Sequence, residues 1–323
     1  MNISNWHSIQ AESSDKPILE TETARLARLI QSRTPHDGVF VQPIPGLSLG
    51  RFSSTGTSLK TFYTPSFGIV AQGTISFTVG QEVYTSSKAR IFMVPVSLPI
   101  TVQIMQASPS EPYLTAGLAL EPQRIAELAA RMFPQGLPPI QRRSVGYGVD
   151  ADPGFVGTMT RLVNCLQNPG DSEWIAPLVM EELLIRLLRS PIGVYVAEMG
   201  FVDSEVRRVA EAIAWMRDNF AQTVKVEELA RLAHMSESTF RVHFKAVTAM
   251  SPLQFQKALR LQEAKRLMLS GQIDATTASH LVGYVSDSQF SRDYSRFFGN
   301  PPGRDVARMR QQHPVNPTIS SAE

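Results

Sequence analysis

The stretch VGYVSDSQFSRDYSRFFGNPP, Val282 to Pro302, decides how the rest of the chain is read. Gly283 is placed to take the positive φ that ends one helix and turns the chain. Ser286 stands where a helix N-cap belongs, and Gln289 follows three residues later, as a capping box needs. Phe290, Tyr294, Phe297 and Phe298 recur at helical spacing and mark one buried face. Ser288, Gln289, Arg292, Ser295 and Arg296 fall largely outside that stripe. A short helix with one oily face and one polar, basic face is the shape that enters a DNA major groove. Pro301-Pro302 reads as a hard stop.

The same pattern occurs 50 positions earlier, where Ser236, Phe240 and Phe244 precede Ser286, Phe290 and Tyr294. Ser251-Pro252 precedes Pro301-Pro302 by the same interval. The last hundred or so residues resemble the DNA-binding domain of AraC/XylS-type transcription regulators. The signature runs through Gly283-Tyr284, Ser286, Phe290, Arg292, Phe298-Gly299 and Pro302. The resemblance departs at Ala278-Ser279, where the family usually has a branched aliphatic and then Ala, so weaker packing of the second unit is expected. It departs again at Asp305-Val306, in place of an aromatic and then Arg, where a contact to the DNA backbone is expected to be missing.

Length and composition suit this reading. A chain of 323 residues has room for two domains, and 43% hydrophobic with 19% charged residues describes an ordinary globular chain. The net charge of +2 is unevenly spread. Residues 1–203 hold 15 Lys/Arg against 17 Asp/Glu, and residues 204–323 hold 16 against 12. The base-rich part is the part with the repeated helix, as a phosphate-facing domain requires. Cys165 is the single cysteine, which excludes an intrachain disulfide framework or a cysteine-built zinc site and suits a reducing setting. No apolar run approaches membrane-spanning length, and the polar N-terminus lacks a signal-peptide core. A cytoplasmic protein with no membrane partner is expected, with its first 15 or so residues mobile.

Taken in order, Pro17 to Arg33 reads as a short amphipathic helix ended by Pro35, Asp37 and Gly38. From Val39 to about Leu120, eight β-branched or aromatic runs alternate with Gly, Pro and Ser: VFV, LSLGRF, FGIVAQ, TISFTV, EVYT, ARIFMV, ITVQIM and YLTAGLAL. They predict a small antiparallel barrel or jelly roll. Pro65-Ser66-Phe67, Gln72-Gly73, Leu98-Pro99 and Glu111-Pro112-Tyr113-Leu114 resemble the cupin-like N-terminal domain of one branch of the same family. Helices are expected from Pro122 to about Phe133, from Pro153 to Gln167 and from Trp174 to Arg189. The leucine-rich last of these either packs on the barrel or pairs with a second subunit. The fold class is α+β: a cupin-like antiparallel β-barrel with flanking helices, then an all-α domain. The domains are 1–190 for effector binding or dimerisation, a linker at 191–203, the DNA-binding domain at 204–312 with two helix-turn-helix units joined by a long helix, and a disordered tail at 313–323.

Base readout needs donors and acceptors on the exposed side of each inserted helix. Those are Ser238, Arg241 and Val242 in the first reader, and Ser288, Gln289 and Arg292 in the second. Arg can grip guanine O6 and N7, Gln can grip adenine N6 and N7, and Val242 can only touch a thymine methyl. Ser236, Lys245, Ser286 and Arg296 are the phosphate candidates, through positive charge or helix starts. Double-stranded DNA is the expected partner. RNA polymerase and a second copy of the chain are further candidates, with the protein a monomer or a homodimer.

The competing class is a cupin-type metalloenzyme with a DNA-binding tail. Such chemistry needs several His on the strands, and residues 1–203 contain only His7 and His36, both outside them. No nucleophile elbow, P-loop or dinucleotide fingerprint stands out. The reading is therefore a non-enzyme with no cofactor and no metal. A third class is a barrel that is purely an interaction module. If there is an effector, the barrel lumen is its expected site, with Phe67, Phe77, Tyr84, Phe92 and Met93 as candidate lining residues. Alternation along strands turns about half of any such set the other way. The shortage of Lys, Arg and His on the strands points to an uncharged or apolar ligand. Cys165 reads as a small buried residue.

Overall fold

The computed structural model describes residues 15–56, 58–140, 144–271 and 273–312. The expected mobile start, His7 and the expected disordered tail at 313–323 lie outside the described residues. The chain forms two compact units, one of the residues up to Ala210 together with Ala246–Ala249, the other of Glu211–Lys245 and the residues from Met250 onward.

The first unit opens with α1 (Lys16–Arg33), which buries Leu26, Ala27 and Ile30. Nine strands follow: β1 (Gly38–Val41), β2 (Leu47–Phe52), β3 (Ser58–Tyr63), β4 (Ser66–Gln72), β5 (Thr74–Val79), β6 (Glu82–Ser87), β7 (Arg90–Val94), β8 (Leu98–Gln106) and β9 (Tyr113–Ala119). A tenth, β10 (Tyr147–Asp150), returns after α2 (Pro122–Met132). They form two antiparallel sheets, ordered β1-β2-β9-β4-β7-β10 and β3-β8-β5-β6. The eight expected strands are all present. β3 is SLKTFY, whose first half is polar, and β10 is only four residues long with a glycine, so neither carries a clear period-two signal.

The register sorts the faces of the larger sheet. Ser48, Gly117, Gly68 and Phe92 pair in one row across β2, β9, β4 and β7. Leu47, Leu118, Phe67 and Met93 pair in the next row and point the other way. The second row is covered by α1 and by α3 (Pro153–Asn164), where Phe155 meets Phe67 edge-on with ring centroids 5.6 Å apart. The helix α3 starts cleanly because the Asp152 carboxylate accepts from the Phe155 amide at 2.9 Å. A 3-10 turn (Cys165–Gln167) and a π turn (Asp171–Ile175) then lead into α4 (Ala176–Arg189).

The stretch expected to be a linker, 191–203, contains another helix instead. This is α5 (Gly193–Glu198), with Val196 and Ala197 fully buried, packed on α2 and α4. The chain folds back so closely here that a Cβ on Gly193 would sit 1.8 Å from the Leu188 carbonyl oxygen. The apolar run IGVYVAEM belongs to the core of the first unit, and its short length hid its helical period.

Seven helices complete the described residues: α6 (Glu205–Asp218), α7 (Val226–Leu232), α8 (Glu237–Thr248), α9 (Pro252–Leu269), α10 (Ala275–Leu281), α11 (Asp287–Phe298) and α12 (Pro302–Gln312). Ser251 forms a full capping box with Gln254 at the start of α9. The pair Pro301-Pro302 separates two helices, within the 204–312 bounds expected for this domain. Gly299, at φ 84°, closes α11, and Pro302 then begins α12, where its missing N–H costs nothing.

Candidate nucleic-acid interface and effector cavity

The pairs α7–α8 and α10–α11 are two helix-turn-helix units, each a support helix followed by a reader helix. The support helices start 49 positions apart and the readers 50. The second turn therefore holds one residue more. The turns close in the same way: His234 and Gly283 donate to Arg231 and His280, and Met235 and Tyr284 donate to Ala230 and Ser279. His234 and Gly283 both take positive φ, at 51° and 87°. The additional residue is Val285, which is 97% exposed. Gly283 cannot carry a side chain, since a Cβ would lie 2.2 Å from the Ala221 carbonyl oxygen.

Each reader is capped by a serine. Ser236 accepts from the Thr239 amide at 3.2 Å, and Ser286 from the Gln289 amide at 3.4 Å. Each cap hydroxyl also meets the serine two positions on, Ser238 or Ser288. The buried faces are aromatic. Phe240, Phe244 and Phe255 stack in the first unit, and Tyr284, Phe290, Tyr294 and Phe298 in the second. All six residues read as base-contacting, Ser238, Arg241, Val242, Ser288, Gln289 and Arg292, are exposed on their reader helices. Of those read as phosphate-contacting, Ser236, Lys245 and Arg296 are exposed and Ser286 is half-buried at its cap.

The two readers are not copies in chemistry. At the shared spacing of 50, Val242 matches Arg292 and Arg241 matches Ser291. The arginines are thus displaced by one residue, about 100° around a helix. Glu237 and Asp287 also occupy matching positions and are used differently. Glu237 accepts from Arg241 Nε at 3.0 Å. Asp287 turns back to the support helix, where it accepts from the Ser279 hydroxyl and lies 3.7 Å from His280 Nε2. Ser279 is fully buried beside Ala278. The pair expected to weaken the second unit instead contributes a hydroxyl that ties support helix to reader.

Two polar clasps hold this unit together. The Arg260 guanidinium, on α9, donates to the carbonyls of Phe220, Ala221, Gln222 and Gly283 at 2.8 to 3.1 Å. Gln256, one turn before it, donates to Phe220 and Gln222. The segment leading to the first helix-turn-helix and the turn of the second are thereby fastened to one helix. The other clasp centres on Asp305, which is 1% exposed. Its carboxylate takes Lys265 Nζ at 2.9 Å, the Tyr294 hydroxyl at 3.1 Å and Arg308 Nη2 at 3.3 Å. Lys265 also lies 4.2 Å from the Phe298 ring centre. Burial, with the Asp305 charge alongside, pushes the Tyr294 hydroxyl above the ordinary phenol range, so it stays a proton donor.

In the first unit, a cavity of about 490 Å³ lies between the two sheets. The six-stranded sheet contributes the small residues Ser48, Gly50, Gly68 and Gly117, and the facing sheet contributes Thr61, Tyr63, Ile75 and Val102. Of the candidate lining residues, Phe92 faces it. Phe67 borders it, with its ring turned onto Phe155. Phe77, Tyr84 and Met93 line a separate small void with Phe92, and Met93 pairs in the row facing the helices. The Tyr84 hydroxyl is already held by Glu82 and Ser144. Cys165 is buried, and burial raises its thiol pKa. Among the described residues, no group of three or more His, Cys, Asp or Glu side chains converges to hold a metal. No helix among them is long and apolar enough to cross a membrane.

Comparison with known proteins matches this geometry in both units. Residues 43–195 fit the family model of the AraC-type transcriptional regulator N-terminus, and residues 229–308 fit a helix-turn-helix domain model. The chain belongs to the AraC-type transcriptional regulators. The AraC-type chain is 31% identical over 142 residues to the RCS-specific HTH-type transcriptional activator RclR of Escherichia coli, a match covering 44% of each chain. It is 30% identical over 147 residues to a putative AraC-like transcription regulator of Streptomyces lividans, covering 45% of this chain and 46% of that one. It spans less than half the length of these curated relatives. Among solved structures, ToxT of Vibrio cholerae bound to an unsaturated fatty acid has the same fold, with TM-score 0.54, 9% identity, and coverage of 80% of this chain and 94% of that one.

Sequence reasoning on this AraC-type chain missed Arg260, Asp305 and Tyr113 as working residues. A lone Arg inside the long helix carries no motif. Asp305 registered only as a departure from the family pattern. Tyr113 stood within a resemblance motif without a direction for its side chain.

Proposed function

We propose that this chain is a sequence-specific DNA-binding transcription regulator whose barrel binds a small uncharged or apolar effector. The observation that carries the reading is the pair of serine-capped readers with all six candidate base-contacting side chains exposed. Double-stranded DNA is the partner these faces suit, with Lys245 and Arg296 at the phosphates. RNA polymerase is the partner that such a regulator acts on, and a cytoplasmic setting follows from that role. The barrel reading is supported by its cavity and by the ligand held by the similarly folded ToxT. Trp174, Ile175 and Leu178, exposed together at the start of α4, favour homodimerisation through that face.

Selection of genomic fragments by the purified chain, against excess nonspecific competitor, tests the function. Enriched fragments should share paired elements about one helical turn apart. No enrichment at any salt concentration, with or without extract of small molecules, would sink the reading. On an enriched site, Arg292→Ala should weaken specific binding by about 10- to 100-fold, the worth of one bidentate base contact, and leave nonspecific binding within about twofold. Arg241→Ala should cost less, because Arg241 must first leave Glu237. Equal losses on specific and random DNA would refute base reading by Arg292.

A further inference from the structure

The row Ser48–Gly117–Gly68 crosses three neighbouring strands with almost no side chain, and it opens the cavity against the facing sheet. Gly50 extends this floor by one more small position. Into the space comes Tyr113, 1% exposed, whose buried hydroxyl makes no well-formed hydrogen bond and has only the Thr115 hydroxyl near it. The neighbouring Thr115 hydroxyl gives its proton to the Ile69 carbonyl at 2.9 Å. A buried hydroxyl left unpaired is costly, and native structures rarely keep one without a use. Tyr63 also lines the space, and burial pushes its pKa up to about 12, so its phenol stays protonated. None of the described residues lining the cavity is Lys, Arg, His, Asp or Glu.

We propose that this cavity takes a neutral, mainly apolar molecule bearing one carbonyl-type acceptor, and that Tyr113 anchors it by donating its phenolic proton. The proposal rests on the reading of the barrel as the effector-binding part. An ester, ketone, lactone or aldehyde carbonyl satisfies the orphaned donor while its chain covers the glycine floor. An ionised carboxylate beside Tyr113 would have no cationic side chain to balance its charge, which makes it costlier there than a carbonyl. The volume is within the ordinary range for small-molecule sites. The similarly folded ToxT is described with a fatty acid, so the two chains part on head-group charge.

Displacement of the neutral dye Nile red from the full-length protein at pH 8 tests this, with methyl decanoate and sodium decanoate as competitors. Methyl decanoate should displace the dye at a concentration at least tenfold lower than decanoate. Tyr113→Phe keeps the ring and removes the donor. It should weaken methyl decanoate about three- to tenfold, as one net hydrogen bond does, without lowering the thermal midpoint of the free protein. Ser48→Leu and, independently, Val102→Phe fill the cavity and should abolish displaceable binding. Decanoate competing as well as the ester, an unchanged ester affinity in Tyr113→Phe, or binding that survives both filled cavities would each overturn the proposal. No readout here uses DNA, so failed fragment selection with intact ester binding would count against the DNA reading alone.

Discussion

Asp305→Ala is expected to loosen the second helix-turn-helix by about 3–5 kcal/mol, the usual cost of removing one partner from a buried ion pair. Three helices meet at this carboxylate, with Lys265 from α9, Tyr294 from α11 and Arg308 from α12. Without it, the Lys265 ammonium, itself only 13% exposed, keeps just the Phe298 ring, and the Tyr294 hydroxyl loses its acceptor. Hydrogen exchange on the full chain is the suitable readout, because two units need not unfold together. Peptides covering 275–310 should lose protection while those of β4 and β9 do not change. Asp305→Asn should fall between, keeping the shape and part of the hydrogen bonding. Unchanged protection in Asp305→Ala would show that the cluster is solvated and energetically idle. Replacing Lys265 and Asp305 together by apolar residues should cost much less than either single change, since buried pairs often break even against good packing.

Arg260→Ala is expected to lower the stability of the same unit by roughly 2–4 kcal/mol and to impair recognition of paired elements more than of single ones. One side chain supplies four charge-assisted hydrogen bonds, each worth about 1.5–3 kcal/mol in isolation and far from additive. The Phe220 and Gln222 carbonyls keep Gln256, and Ala221 and Gly283 lie near solvent, which limits the loss. What water cannot replace is the tie between the approach to the first reader and the turn of the second. Binding to DNA with both elements should fall at least tenfold beyond the fall for DNA with one. Lys at 260 should not rescue, because a point charge cannot reach four acceptors that a planar guanidinium spans. A parallel loss on both DNAs would assign Arg260 to folding alone.

The reader helices were legible because each compresses its signals into a dozen residues: a serine cap, aromatic spacing and a positive-φ turn. The repeat at 50 doubled that signal. The turn lengths were not legible, because one additional Val between Tyr284 and Ser286 looks like ordinary sequence until both units are superposed on their hydrogen bonds. The barrel was legible in eight of its ten strands, with β3 and β10 missed. Its two-sheet order was not, since pairing between β9 and both β2 and β4 is set by distant packing rather than local pattern. The cavity residues were half legible. Aromatic residues drew attention as lining candidates, whereas the space is made by what is missing at Gly50, Gly68 and Gly117. The helix α5 was not legible because IGVYVAEM is too short to show a helical period, and the close approach that Gly193 permits is set by tertiary packing.

On the proposed reading of DNA by both helices, the one-residue displacement between Arg241 and Arg292 gives the protein a sense of direction. Two identical readers would accept a tandem site from either unit alike. These two present different edges, guanidinium beside an aliphatic methyl in one and guanidinium beside a serine in the other. Their cognate DNA should read like an arrow rather than a palindrome within one chain's footprint. Turning that arrow around beside a gene, with not one base of the element altered, would leave the protein bound as tightly as before and facing the wrong way.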